Sequence, residues 1–270
     1  MTESDFNSLL VQREGSRLYV TINRPELKNA LNAEVVDELS SVVRIYHADR
    51  TLRTIILRGA EGTFCSGGDI KGFKESFSAP KPNEGQRDPI AVNNRKFGKF
   101  LTEFNEIPQT VVGVIEGAAF GGGLGLLCVT DIAICMADTK FALSETGLGV
   151  VPAQIAPFVV QRIGITQARR IALSGARFDG RHAKEIGLVH FVVENQKELD
   201  ATLTKVLNDI GRCAPGADAA TKRVMLDSLV KHLPDVLDEA ADAFAEQLRG
   251  EEGQEGVKAF LEKRPAAWVE

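Results

Sequence analysis

Paired cysteine motifs are missing from this 270-residue chain: Cys65, Cys128, Cys135 and Cys213 fall in no CxxC or Cys/His spacing that suits zinc. No metal site is expected. Three of the four lie in apolar runs, where a thiol packs as a small hydrophobe, and this points to a reducing compartment. The first residues, MTESDFNSLL, carry acid where a secretory leader carries base, and no apolar run nears the roughly 20 residues that span a bilayer. The expectation is a cytoplasmic protein with no membrane partner. Basic stripes are absent too: a formal net charge of -5, with Lys and Arg scattered along the chain, argues against a nucleic-acid partner.

Familiar site signatures are also lacking. Neither GxGxxG nor GxxxxGK(S/T) can be placed on the glycine-rich segments in any register, so dinucleotide and nucleoside-triphosphate readings lose support. No GxSxG frame surrounds Ser66, and none of His47, His182, His190 and His232 lies in a motif that marks a catalytic base. Cys65 and Ser66 therefore read as core and loop rather than as nucleophiles. Arg181 and His182 open a helix at DGRHAKEIG, where capping and solvation account for them.

What is present is an alternation of strands, turns and helices with ample length for a core. RLYVTIN (17–23) alternates as a strand, Asn32 is a helix cap, and Val35, Val36, Leu39, Val42, Val43 and Tyr46 keep helical spacing after it. RTIILRG (53–59) reads as a buried strand. Residues 75–93 hold three prolines and many polar groups, so they should form a mobile surface excursion rather than a packed element. Composition favours a plain insertion over a lid. VVGVI (111–115), the glycines at 121–123, an apolar helix to about Val129 and the strand IAICMA (132–137) form a second unit. From about Gln196 the pattern is helical, with breaks at Pro215 and Pro234. The expected division is a core domain over 1–195 and a helical region over 196–270.

Two segments carry the chemistry: FCSGGDIKGF (64–73) and EGAAFGGGLGLL (116–127). Glycines at the mouth of a helix leave backbone N–H groups unpaired and open to an anion. One such loop alone is adequately explained by tight turning. Two loops, each after a buried strand, could supply the two convergent donors of an oxyanion hole.

NRPELKNALN (23–32), FCSGGDIKGF, GAAFGGGLGL, FALSETGLGVVP (141–152) and AFLEKR (259–264) resemble, in this order and spacing, the crotonase or enoyl-CoA hydratase/isomerase superfamily. The resemblance covers nearly the whole chain. It implies an α/β fold, a spiral of β-β-α units followed by a C-terminal helical trimerisation region. It also implies a homotrimer or a dimer of trimers, an acyl-CoA substrate, and no cofactor apart from the coenzyme A carried by that substrate.

Matched residue by residue, the resemblance implies that the Gly68 and Gly122 amides hold the thioester oxygen and that Glu145 is the catalytic acid and base. Lys28, Ala30 and Leu31 would line the coenzyme site, with Lys28 near the phosphates, and Ser66, Asp69 and Ile70 would line the adenine and pantetheine path. Phe260 and Lys263 would close that site, in some relatives from a neighbouring subunit. Hydratases of this family use a second glutamate where this sequence has Gly125. Three chemistries stay open: hydration by Glu145 alone, isomerisation by Glu145 as proton shuttle, or help from Glu116 or a substrate carboxylate.

AAFGGGLGL, LSETGLGVVPAQIAPFVVQRIG and ARRIALSGARFDGRHAKEIGLV are similar to the bacterial branch that hydrates isohexenylglutaconyl-CoA and methylglutaconyl-CoA, with the first substrate slightly favoured. Gly125 and Ala153 are expected to leave room for a branched acyl chain. A coenzyme-binding module without catalysis is the reading of another class; the presence of Glu145 and both glycine loops argues against it.

Overall fold

The computed structural model describes residues 6–76, 78 and 81–269. The first five residues and positions 77, 79 and 80 of the expected excursion lie outside the described residues. A hairpin opens the chain: β1 (Leu9–Glu14) pairs antiparallel with β2 (Arg17–Ile22) across Gly15, whose φ of 58° suits a tight turn. Only the second of these strands was expected from alternation. The helix α1 (Ala33–Tyr46) follows, capped by the Asn32 side chain, which accepts from the Val35 N–H at 2.9 Å. Its buried face is Val35, Leu39, Val42, Val43 and Tyr46, as the spacing requires.

The next strands are β3 (Thr54–Gly59), β4 (Thr110–Ile115), β5 (Ala118–Phe120), β6 (Ile132–Met136), β7 (Lys140–Ala142), β8 (Arg177–Phe178) and β9 (Phe191–Val193). Between and after them run the helices α2 (Ile70–Ser76), α3 (Pro89–Asn105), α4 (Gly122–Cys128), α5 (Ala156–Ser174), α6 (Gly180–Glu185), α7 (Gln196–Gly211), α8 (Pro215–Asp227), α9 (Leu233–Arg249) and α10 (Glu251–Leu261). The larger sheet has the order β1-β2-β3-β4-β6-β9, and the smaller one β5-β7-β8. Successive turns of chain thus place one strand in the large parallel sheet, a second in the small sheet, and then a helix: β4, β5, α4, and again β6, β7, α5. This is the β-β-α spiral of the crotonase fold. Within the large sheet β3 and β4 read as near-continuous apolar runs, because these parallel strands are covered on both faces.

The excursion over 75–93 differs from expectation at its end. Pro89 starts α3, and the Asp88 carboxylate caps it by accepting from the Ile90 N–H at 2.7 Å. A proline in the first turn loses no helical hydrogen bond, so a residue read as part of the excursion starts a helix instead. Pro215 and Pro234 do the same for α8 and α9.

The C-terminal helices join the core through Arg53, just before β3. Its guanidinium donates to the carbonyls of Ile210 at 3.0 Å and Trp268 at 2.8 Å, and also to those of Gly211 and Cys213. Lys222 on α8 adds an ion pair to Asp131 at 2.8 Å. Leu229, Leu237, Phe244, Leu248 and Phe260 nevertheless stay exposed on this region. Among the described residues, no helix is long and apolar enough to cross a membrane.

Candidate active site

The site is built from strand ends. In the small sheet β5 and β7 run parallel, with Phe120 opposite Ala142. On the other side of β5 lies the 65–68 loop: the Cys65 N–H donates to the Ala118 carbonyl at 2.9 Å, and the Phe120 N–H donates to that of Cys65 at 3.0 Å. Next to the loop, Leu31 forms a parallel bridge with Gly68. Four parallel segments therefore finish at one edge, and the residues there are Leu31, Gly68, Gly122 and Glu145.

The glycine triplet divides its labour. Gly121 turns the chain with φ 47° and ψ -117°, and a β-carbon on it would lie 2.7 Å from Oε1 of Glu145. Gly123 lets α4 approach Cys65, where a β-carbon would meet that of Cys65 at 2.7 Å. Gly122, between them, is the first residue of α4, so its N–H has no intrahelical acceptor. Among the described residues neither the Gly68 nor the Gly122 N–H donates to a protein acceptor. Both donors remain available.

Glu145 starts a single turn of 3-10 helix, Glu145–Leu148, straight after β7. Its Oε2 is buried and meets no hydrogen-bond partner among the described residues. Burial raises its pKa above the ordinary 4.5, with backbone hydrogen bonds opposing the rise. A carboxylate shifted this way, beside the turn that presents the unpaired Gly122 amide, has the chemistry to exchange a proton with a group bound there.

The model of the family described as enoyl-CoA hydratase/isomerase matches residues 12–270. The chain belongs to the enoyl-CoA hydratase/isomerase family. Among solved structures, Pseudomonas aeruginosa AtuE is 46% identical with a TM-score of 0.93, covering 98% of this chain and 100% of that one. The mitochondrial methylglutaconyl-CoA hydratase of Mus musculus is 30% identical, covering 98% of this chain and 83% of that protein. The peroxisomal Delta(3,5)-Delta(2,4)-dienoyl-CoA isomerase of Arabidopsis thaliana is also 30% identical, with 98% of each chain covered. Hydratases and isomerases both stand among the relatives of this enoyl-CoA hydratase/isomerase.

The remaining site positions of this family member fall into distinct places. Lys28 is exposed and left-handed, with φ 51°, and its carbonyl accepts from the Ser66 N–H at 3.0 Å. Ala30 and Leu31 are buried. Asn29 holds this segment in place: fully buried, it accepts from the Arg24 N–H at 2.8 Å and donates to the carbonyls of Ala60 at 3.0 Å and Thr63 at 2.5 Å. Ser66 is half-buried and its hydroxyl donates to the Leu27 carbonyl at 3.3 Å. Asp69 spends its carboxylate locally, on Arg24 at 3.2 Å and on the Lys71 N–H at 3.0 Å. Ile70 is 69% exposed.

Three expectations change. Gly125 leaves no room: a β-carbon there would stand 2.6 Å from that of Ile155, whose buried side chain fills the space. Ala153 is exposed. Glu116 is tied to Arg58 at 2.7 Å and precedes β5, whereas Gly122 follows it, so the two stand at opposite ends of that strand. Phe260, 83% exposed, and Lys263 sit at the end of α10, which packs on α9; one chain alone does not bring them to the strand-end edge.

Sequence reasoning missed Phe97 and Ile155. The Phe97 ring lies 3.7 Å, and Leu31 Cδ1 3.2 Å, from where a Gly122 β-carbon would be, so both wall the site. Phe97 belongs to α3, one of several apolar residues in that helix, and nothing in its local pattern separates it from core. Cys65 is confirmed as core: burial pushes its thiol up to about 12.

Proposed function

We propose that the protein is an enoyl-CoA hydratase using one carboxylate. The thioester oxygen accepts from the Gly68 and Gly122 N–H groups. Glu145 takes a proton from water as the water oxygen adds to the β-carbon, and the electron pair of the double bond moves to the enolate oxygen. Glu145 then returns that proton to the α-carbon, giving the 3-hydroxyacyl thioester. The observation that carries this reading is the buried, unpartnered Oε2 of Glu145, whose carboxylate lies beside Gly121 and so adjoins an unpaired Gly122 donor.

For the acyl group, the reading is a β-branched, carboxylated chain, isohexenylglutaconyl-CoA or 3-methylglutaconyl-CoA. The methylglutaconyl-CoA hydratase relative and the PAQIAPFVV segment support it. Lys28 would meet the phosphates, while Ala30, Leu31, Ser66 and Ile70 border the coenzyme path. Residues 1–195 would form the catalytic unit. Residues 196–270, with their exposed apolar side chains, would serve assembly into a trimer or a dimer of trimers, in which Phe260 and Lys263 reach a neighbour's site. No cofactor beyond the substrate's coenzyme A is required, and the reading places the enzyme in the cytoplasm.

The second reading is isomerisation, with Glu145 moving a proton between two carbons. Ile155 over Gly125 favours it equally, because a second acid is not needed for that shuttle. Turnover of 3-methylglutaconyl-CoA in oxygen-18 water separates the two. Oxygen-18 in the acyl product supports hydration, a shifted double bond without label supports isomerisation, and tight binding with neither supports a non-catalytic module.

A further inference from the structure

Each donor amide is aimed by the carbonyl of its own peptide plane, because in a trans peptide the C=O and the following N–H point in opposite directions. The Gly67 carbonyl accepts from the Leu31 N–H at 2.8 Å, which turns the Gly68 N–H away from the Leu31 main chain. The Gly121 carbonyl accepts from the Gly125 N–H at 3.0 Å, which turns the Gly122 N–H out of the mouth of α4. One side chain stands between the two segments. The Gly67 N–H donates to Cys65 Sγ at 3.4 Å, and the thiol returns a weak bond to the Gly67 carbonyl at 3.8 Å. Cys65 also packs on α4: where a Gly123 β-carbon would stand, Cys65 Cβ lies at 2.7 Å and Sγ at 2.9 Å. Its main chain is pinned in both directions to Ala118 and Phe120, so the side chain has little freedom to drift. The thiol thus meets the residue before one donor and the residue after the other.

We infer that Cys65 is a positioning residue that sets the separation of the Gly68 and Gly122 amides. An oxyanion hole works only when both donors reach one oxygen, and a misplacement of about 1 Å is enough to cost turnover. Sulfur suits the task in two ways. It is larger than a hydroxyl oxygen, which keeps the loop and α4 apart, and as a weak acceptor it satisfies the buried Gly67 N–H. Gly123 is the matching half of the contact, since any side chain there would collide with Cys65. The fully buried thiol makes no bond to substrate and, kept protonated by that burial, takes no part in proton transfer. The inference rests on the enoyl-CoA reading above and adds what holds its two donors in place.

The test reads the thioester carbonyl directly. A saturated acyl-CoA with carbon-13 at the thioester carbon should show, by infrared difference spectroscopy on the wild-type protein, a carbonyl stretch lowered by the two donors. Cys65→Ala should return part of that shift and lower kcat for 3-methylglutaconyl-CoA about 10- to 100-fold, the range for a misplaced catalytic contact. The dissociation constant of the saturated thioester should stay within about 3-fold of wild type. Cys65→Ser, which keeps a smaller acceptor for the Gly67 N–H, should fall between, and it decides alone if Cys65→Ala does not fold. A wild-type shift and full kcat in the folded variants overturn the inference and leave the hydratase reading standing. Losses that fall equally on kcat and affinity mark a packing role and overturn it too. Because the spectrum needs no turnover, it does not depend on the choice of acyl group. A wild-type carbonyl stretch that is not lowered on binding removes the oxyanion site itself, and the inference with it.

Discussion

The side chain of Ile155 lies over the α-carbon of Gly125, its β-carbon 2.6 Å from where a side chain at 125 would begin. Sequence alone makes Gly125 a vacancy for substrate or for a lost acid. In the folded chain the vacancy is already filled, by a residue that is 3% exposed and packed in the main core. Gly125→Glu should therefore overpack the contact and destabilise by about 1–3 kcal/mol. Combining it with Ile155→Ala should recover much of that loss, even though Ile155→Ala alone costs about 2–5 kcal/mol. Denaturant midpoints of the three variants check this non-additivity.

Glu145 couples function to stability. Its pKa is raised by burial, so the folded state holds the proton more tightly than the unfolded chain does. That contribution is fully present below the ordinary value of 4.5 and is lost as pH rises through the folded-state value. Glu145→Gln, which cannot ionise, should then melt higher than wild type at neutral pH, and the gap should close as pH falls below 4.5. Melting curves for both proteins across that span supply the comparison; a gap that widens on acidification would contradict the burial argument.

The Gly122 donor can be removed without a side chain to delete. Gly122 is the first residue of α4, a position where proline keeps the helix while its ring replaces the N–H and presses on Leu31 Cδ1, 3.2 Å from a β-carbon there. Gly121 before it has φ 47° and ψ -117°, the mirror image of extended backbone, which glycine can keep ahead of proline. Gly122→Pro should lose about 100- to 1000-fold in kcat with an unchanged circular dichroism spectrum.

Asn29 holds the segment proposed to meet the coenzyme. Asn29→Ala removes the donor to the Ala60 and Thr63 carbonyls and places alanine at φ 56°. A loss of about 1–3 kcal/mol in stability is expected, with KM for the acyl-CoA raised more than kcat is lowered. Steady-state kinetics beside thermal denaturation distinguish this from global damage.

These cases show where the sequence was readable. Periodicity located α1 and β2, whose single buried faces impose regular spacing, and continuous apolar runs located β3, β4 and β6, which are buried on both faces. The short strands β5, β7, β8 and β9 have too few residues to show a period, yet β5 and β7 carry Gly122 and Glu145 to the same edge. Family motifs named Gly68, Gly122 and Glu145; their convergence depends on the bridges Leu31–Gly68 and Cys65–Ala119, which join segments distant in sequence. Phe97 and Ile155 were illegible for the same reason: each matters through a contact between elements, and no local pattern encodes it.

The most direct test of the account is turnover by Glu145→Gln set against its affinity for a saturated acyl-CoA. Loss of turnover by about 100-fold or more, with the dissociation constant within a few-fold of wild type, is the predicted result. Turnover that survives the substitution would contradict the role given to this carboxylate.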